Sequence, residues 1–156
     1  MADDPAIMKE VLDAVPQRFP FRFIDEILEL DEEHITGGYG FREDEYFYRG
    51  HFPGRPITPG VILIETMAQT GVVAFGIYLN MKEKGMSGES LKKLTTLFTL
   101  VEAVEFSGIV SPGERVKVRG EKIYFRRGSL KARVRMEREN GEIVCHGVLA
   151  GMGAAF

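Results

Sequence analysis

Pro59-Gly60-Val61-Ile62-Leu63-Ile64-Glu65-Thr66-Met67-Ala68-Gln69-Thr70-Gly71-Val72-Val73-Ala74-Phe75-Gly76-Ile77-Tyr78-Leu79 decides the fold. From Val61 to Leu79 the residue types are helical and apolar nearly all the way round, a pattern that needs enclosure by protein or by lipid. At about 1.5 Å per residue such a run could just cross a bilayer. Lipid is the poorer choice, because Glu65 and Gln69 interrupt the run, no basic flank orients it, and the strands that follow need something to cover one face. The reading is a buried central helix and no membrane span.

Upstream, Asp4-Pro5 followed by Ile7, Met8, Val11, Leu12 and Val15 predicts a short amphipathic helix with Asp4 as N-cap, stopping at Pro16. Phe21 to Leu30 reads as a strand before the turn Asp31-Glu32-Glu33-His34, and Ile35 to Phe41 as a second. In the latter, Gly37, Gly38 and Gly40 point to a bulge or a close backbone approach. Residues 44–60 form a loop rich in Gly, Pro and aromatics. Downstream of the helix, a polar connection from Lys82 to Lys93 leads into four strand-like segments, Leu94–Phe106, Glu114–Phe125, Ser129–Arg138 and Ile143–Met152. Ser111-Pro112-Gly113, Arg127-Gly128 and Asn140-Gly141 punctuate them, the last pair being a strong hairpin signal. Strands, one long apolar helix, then a meander predict a single α+β domain over residues 1–156, its antiparallel sheet packed round the helix.

With 156 residues, 44% hydrophobic and 28% charged, the chain has room for one sizeable core and is neither disordered nor fibrous. Cys145 is the one cysteine, so no internal disulfide or cysteine-based zinc site is available. This suits a reducing cytoplasm, and the acidic Met1-Ala2-Asp3-Asp4-Pro5 shows no secretory signal. The net charge of −3 is unevenly spread: residues 1–34 carry three basic and ten acidic side chains, residues 114–142 ten basic and five acidic. The basic stretch is either a solvated sheet face or a positive surface that steers an acidic partner. The overall acidity and the lack of a binding motif argue against nucleic acid.

Gly50 to Gln69 brings three kinds of catalytic part together. His51 sits in a proline-restricted loop and is the candidate base. Glu65 is a carboxyl on an apolar helix, where it must be paired, solvated or protonated, and a raised pKa would make it an acid. The amides of Gly60 and Val61, at the helix start, suit an oxygen that gains negative charge. His34 and His146 read as structural, and Cys145 as a small buried hydrophobe. There is no nucleophile elbow, phosphate loop or dinucleotide fingerprint, and three histidines without a spaced carboxylate set argue against a catalytic metal.

Gly50-His51-Phe52-Pro53-Gly54-Arg55-Pro56-Ile57-Thr58-Pro59-Gly60-Val61 through Glu65, Met67, Ala68 and Gln69 resembles the signature of FabZ-type 3-hydroxyacyl-[acyl-carrier-protein] dehydratases, which have the hot-dog fold. The resemblance extends to Pro16-Gln17-Arg18-Phe19-Pro20-Phe21 with Asp25, and to Val110-Ser111-Pro112-Gly113-Glu114. It implies His51 as base, Glu65 as acid, the Gly60 or Val61 amide on the thioester carbonyl, and Phe52, Pro53, Pro59 and Gln69 as tunnel or loop support. It implies no cofactor. It also implies a 3-hydroxyacyl phosphopantetheine on an acidic carrier protein as substrate, an acyl tunnel beside the helix, a homodimer whose sites each take His51 from one subunit and Glu65 from the other, and in many members a hexamer of three dimers. Lys122, Arg126, Arg127 and Lys131 are candidates for docking the carrier. The chain departs from the family at Gln17, in place of His, and at Glu105-Phe106-Ser107-Gly108, in place of a basic segment. Both bear on docking and substrate range. Glu65, where an isomerising relative has Asp, argues against isomerisation. Rival readings are a non-catalytic hot-dog module that binds an acyl carrier or chain, and an acyl-thioester hydrolase.

Overall fold

Asp4 caps helix α1 (Pro5–Ala14), its carboxylate accepting from the amides of Ala6 and Ile7 at 2.8 and 3.0 Å. The computed structural model describes residues 4–155, so Met1-Ala2-Asp3 of the N-terminal reading lie outside the described residues. Six strands follow in one antiparallel sheet: β1 (Glu26–Leu30), β2 (His34–Gly40), β3 (Leu94–Phe106), β4 (Arg115–Arg126), β5 (Ser129–Arg138) and β6 (Ile143–Ala155). Their spatial order is β1-β2-β4-β5-β6-β3. Helix α2 (Gly60–Lys84) lies inside the sheet, and a short α3 (Glu89–Lys92) leads into β3. This is the α+β hot-dog arrangement, and the apolar helix is enclosed by protein.

Alternation explains which face is inside. On β5, Leu130, Ala132, Val134 and Met136 are buried, while Arg133 and Arg135 face outward. One core cluster joins Phe23, Tyr39, Phe41 and Val118 to Met67, Ala68 and Val72 of α2; a second joins Val11 and Ala14 of α1, and Val15 just after it, to Val73, Phe75, Ile77 and Tyr78. Helix and sheet meet closely where a side chain is missing. A Cβ on Gly71 would lie 2.6 Å from Val134 Cγ2, so any larger residue there forces the layers apart. Cys145 on β6 is fully buried with Sγ 3.7 Å from Met67 Sδ, and burial pushes its thiol up to about 12.

Several boundaries differ from the sequence reading. The first strand begins at Glu26, not Phe21, because Phe21–Asp25 runs irregularly against α2 and the Phe23 amide is taken by a helix side chain instead of a strand. The central helix extends five residues past Leu79, through Lys82-Glu83-Lys84, and stops at Gly85 in the left-handed conformation. Its residues Gln69–Ala74 form a π-helical segment. The glycines of β2 mark a close approach: a Cβ on Gly37 would lie 2.8 Å from Thr70 Oγ1. The nearest bulge is on β1, between Ile27 and Glu29. The last strand continues to Ala155.

Candidate active site

The loop that carries His51 is built from its own backbone. The amides of Phe52 and Arg55 bond each other's carbonyls at 3.2 and 2.9 Å, the Ile57 amide bonds His51 O at 2.9 Å, and the Thr58 amide bonds Val110 O at 2.9 Å. Tyr48 and Thr58 share a buried hydroxyl bond of 2.7 Å, and the His51 ring stacks on Phe52 at 4.1 Å. His51 Nδ1 lies 3.0 Å from Ile57 O. A carbonyl only accepts, so Nδ1 carries a hydrogen, and in the neutral ring the free lone pair is then on Nε2.

Pro59 O receives the amides of Ile62 and Leu63 at 2.9 and 3.1 Å. Helix geometry therefore leaves the amides of Gly60 and Val61 without an acceptor inside α2. The ring of Phe106 packs over this end, with Cζ 3.2 Å from where a Gly60 Cβ would be.

Glu65 stands one turn further along. Its Oε2 accepts from Gln69 Nε2 at 2.8 Å, and burial raises its pKa against the opposing pull of that bond. Gln69, itself fully buried, also donates to Phe21 O at 3.0 Å and accepts from the Phe23 amide at 2.6 Å. One amide thus ties the chain before β1 to the carboxyl. A cavity of about 60 Å³ opens beside it, lined by Gln17, Glu65, Ala68, Val72, Thr96 and Phe98.

Among the described residues, no hydrogen bond joins His51 to Glu65 within one chain, and His51 does not line the cavity beside Glu65. The four docking candidates do not converge on the His51 loop either. Lys122 pairs with Glu33 at 3.2 Å, Lys131 with Glu102 at 3.9 Å, and Arg126 lies over Tyr124 at 4.3 Å. Arg127 shares a turn with Gly128, which lies beside Lys84. That is the opposite end of α2 from Gly60, about 37 Å away along a helix of this length. The outward face of the basic stretch is interleaved with carboxylates: Arg119 and Arg135 reach Glu137 at 3.2 and 2.7 Å, and Arg133 reaches Glu121 at 3.5 Å. Burial pushes the Glu137 carboxyl up, and the bonds from Arg135 and Arg119 outweigh it and hold it low. His34 and His146 lie near Asp31 and Glu105, away from the cavity. No cluster of three or more His, Cys, Asp or Glu suited to a metal occurs among the described residues.

Two features escaped the sequence reading. Buried Glu45 accepts from Tyr39 Oη and pairs with Arg42 at 2.8 Å, fixing the start of the His51 loop. Gln17, read as a departure that bears on docking and substrate range, lines the Glu65 cavity, a placement its spacing did not show.

Residues 15–147 match the FabA-like domain. The chain is 35% identical over 142 residues to the 3-hydroxyacyl-[acyl-carrier-protein] dehydratase FabZ of Caldicellulosiruptor saccharolyticus, covering 89% of this chain and 92% of that protein. It belongs to the FabA-like family. The FabZ dehydratase of Thermus thermophilus is also 35% identical, over 86% of this FabA-like chain and 89% of its own. Among solved structures, the ApeI:P dehydratase heterocomplex from Xenorhabdus doucetiae superposes with a TM-score of 0.74 at 14% identity, covering 93% and 91% of the two chains. A Streptococcus pneumoniae hypothetical thioesterase with coenzyme A follows at 0.60 and 14%, covering 95% and 97%. At such identities these two matches establish the fold alone.

Proposed function

We infer that this chain is a 3-hydroxyacyl-[acyl-carrier-protein] dehydratase, a hydro-lyase of fatty acid biosynthesis that forms the trans-2-enoyl thioester. Its relationship to the FabZ dehydratases over nearly its whole length carries the inference. The arrangement of His51, Glu65 and the α2 N-terminus supports it.

In this reading His51 Nε2 takes a proton from C2 of the substrate. Charge then builds on the thioester oxygen, where the Gly60 and Val61 amides stabilise it. The electrons of the C2–H bond form the C2=C3 double bond while the C3–O bond breaks, and protonated Glu65 gives its proton to the departing hydroxyl. Water leaves, and return of the proton from His51 to Glu65 through solvent restores the pair. No cofactor enters the step.

A second copy completes the site. β3 is a thirteen-residue sheet edge with Leu97, Phe98, Val101 and Phe106 exposed, an edge that asks for cover. Pairing it with the same strand of a partner would also bring one chain's His51 toward the other's Glu65. The proposal places this single dehydratase domain in the cytoplasm, acting on an acyl chain carried by phosphopantetheine.

Mass spectrometry of a 3-hydroxyacyl carrier protein after incubation with the protein tests this. Wild type is expected to remove one water reversibly, and His51→Ala and Glu65→Gln to slow that step by about 10²–10⁴-fold. Tight binding without water loss would support the non-catalytic module, and release of free acid the hydrolase.

A further inference from the structure

Gln17, which lines the cavity beside Glu65, carries a buried polar atom that the reaction above does not use. Gln17 Oε1 is the one buried side-chain oxygen or nitrogen without a hydrogen-bond partner among the described residues. Leaving such an acceptor unpaired is unfavourable, so it calls for a partner that the chain itself does not supply. The backbone around it is held firmly. Gln17 O accepts from Arg18 and Arg22 at 3.2 and 3.1 Å, and Arg22 also bonds Leu12 O at 2.8 Å, fastening this residue to the end of α1.

The cavity is small. Its 60 Å³ is about twice the volume a water occupies in the liquid, enough for a hydroxyl and the adjoining carbon atoms. Most of its wall is apolar, with Ala68, Val72 and Phe98 beside the Thr96 hydroxyl, the Glu65 carboxyl and the Gln17 amide. An unbranched alkyl chain would satisfy none of the polar atoms. A group that can both give and receive a hydrogen bond would satisfy two of them.

We propose that Gln17 Oε1 accepts the hydrogen bond of the substrate's 3-hydroxyl and so turns that oxygen's lone pairs toward Glu65. This rests on the dehydratase reading and assigns it a residue that recognises the leaving group. A hydroxyl has one hydrogen and two lone pairs. With its hydrogen given to Gln17, which offers only an acceptor there, a lone pair is left for the proton of Glu65. As the C3–O bond breaks, that proton completes a water molecule that still donates to Gln17. In the reverse direction, Gln17 and ionised Glu65 each accept one hydrogen of a bound water, leaving its lone pair to attack C3. The departure of Gln17 from the family pattern therefore falls on the reacting group.

The test is the selectivity of Gln17→Leu between a 3-hydroxyacyl thioester and the saturated acyl thioester of equal length. The expected result is a fall of about ten- to a hundredfold in kcat/KM for the hydroxyacyl substrate, with the saturated ligand inhibiting as strongly as before and the melting temperature not lowered. Unchanged kcat/KM, or equal losses for both ligands, would overturn the assignment. If Gln17→Leu does not fold, Gln17→Met, of similar length and flexibility, gives the same comparison. A wild type that binds both thioesters without removing water would refute the dehydratase reading instead. The ratio of the two affinities in wild type and variant would then decide the role of Gln17.

Discussion

The two sides of the sheet handle polar groups in opposite ways. Outside, charges are many and paired across strands in reach of water: Arg133 and Glu121 stand 3.5 Å apart with most of both side chains exposed. Inside, polar groups are few, and a buried amide such as Gln69 is tied to particular backbone and carboxyl atoms, those of Phe21, Phe23 and Glu65. Solvent screens the first kind of pair and makes it worth little. Removing a partner from the second kind strands a buried group. Counting charges along this chain therefore finds the face that matters less to its chemistry.

Gln69→Leu is the most severe way to press this difference. It leaves the Phe23 amide without its acceptor and Glu65 without its donor, and is expected to cost about 2–3 kcal/mol in denaturant unfolding as well as activity. A loss below about 0.5 kcal/mol would show that the inner network counts for no more than the outer one.

Glu65→Gln sharpens the contrast through pH. Burial raises the Glu65 pKa above its unfolded value, so the folded chain holds that proton more tightly, and wild type loses stability relative to the variant as pH rises through the raised value. Glu65→Gln is expected to melt above wild type at about pH 8, with the gap closing toward about pH 4. A gap independent of pH would mean that the carboxyl is not desolvated in the folded chain.

Arg133→Ala is the smallest change. With its partner exposed, the expected shift in stability is within about 0.5 kcal/mol and shrinks further in high salt. A larger loss would make the outer face structural.

What the sequence revealed follows the range of the forces involved. The Asp4 cap, the alternation of Leu130 to Met136 and the turn at Asn140-Gly141 depend on neighbours a few residues apart, and all are where local chemistry puts them. Both His51 and Glu65 stood out for chemical reasons: a titratable ring in a stiff loop and a carboxyl on an apolar helix. The reach of Gln69 was hidden, since its partners Phe21 and Phe23 lie 48 and 46 residues earlier. The same holds for the start of β1, which that contact displaces to Glu26. Nor could spacing show that Gln17 faces inward, because Pro16 ends one periodic pattern before another begins.

Cys145 carries a consequence for kinetics. As the chain's one thiol, fully buried against Met67 with its ionisation suppressed, it meets an alkylating reagent only after β6 parts from α2. The protein thus contains its own clock: the pace of labelling under native conditions reports how often the centre of the sheet opens, with no engineered probe.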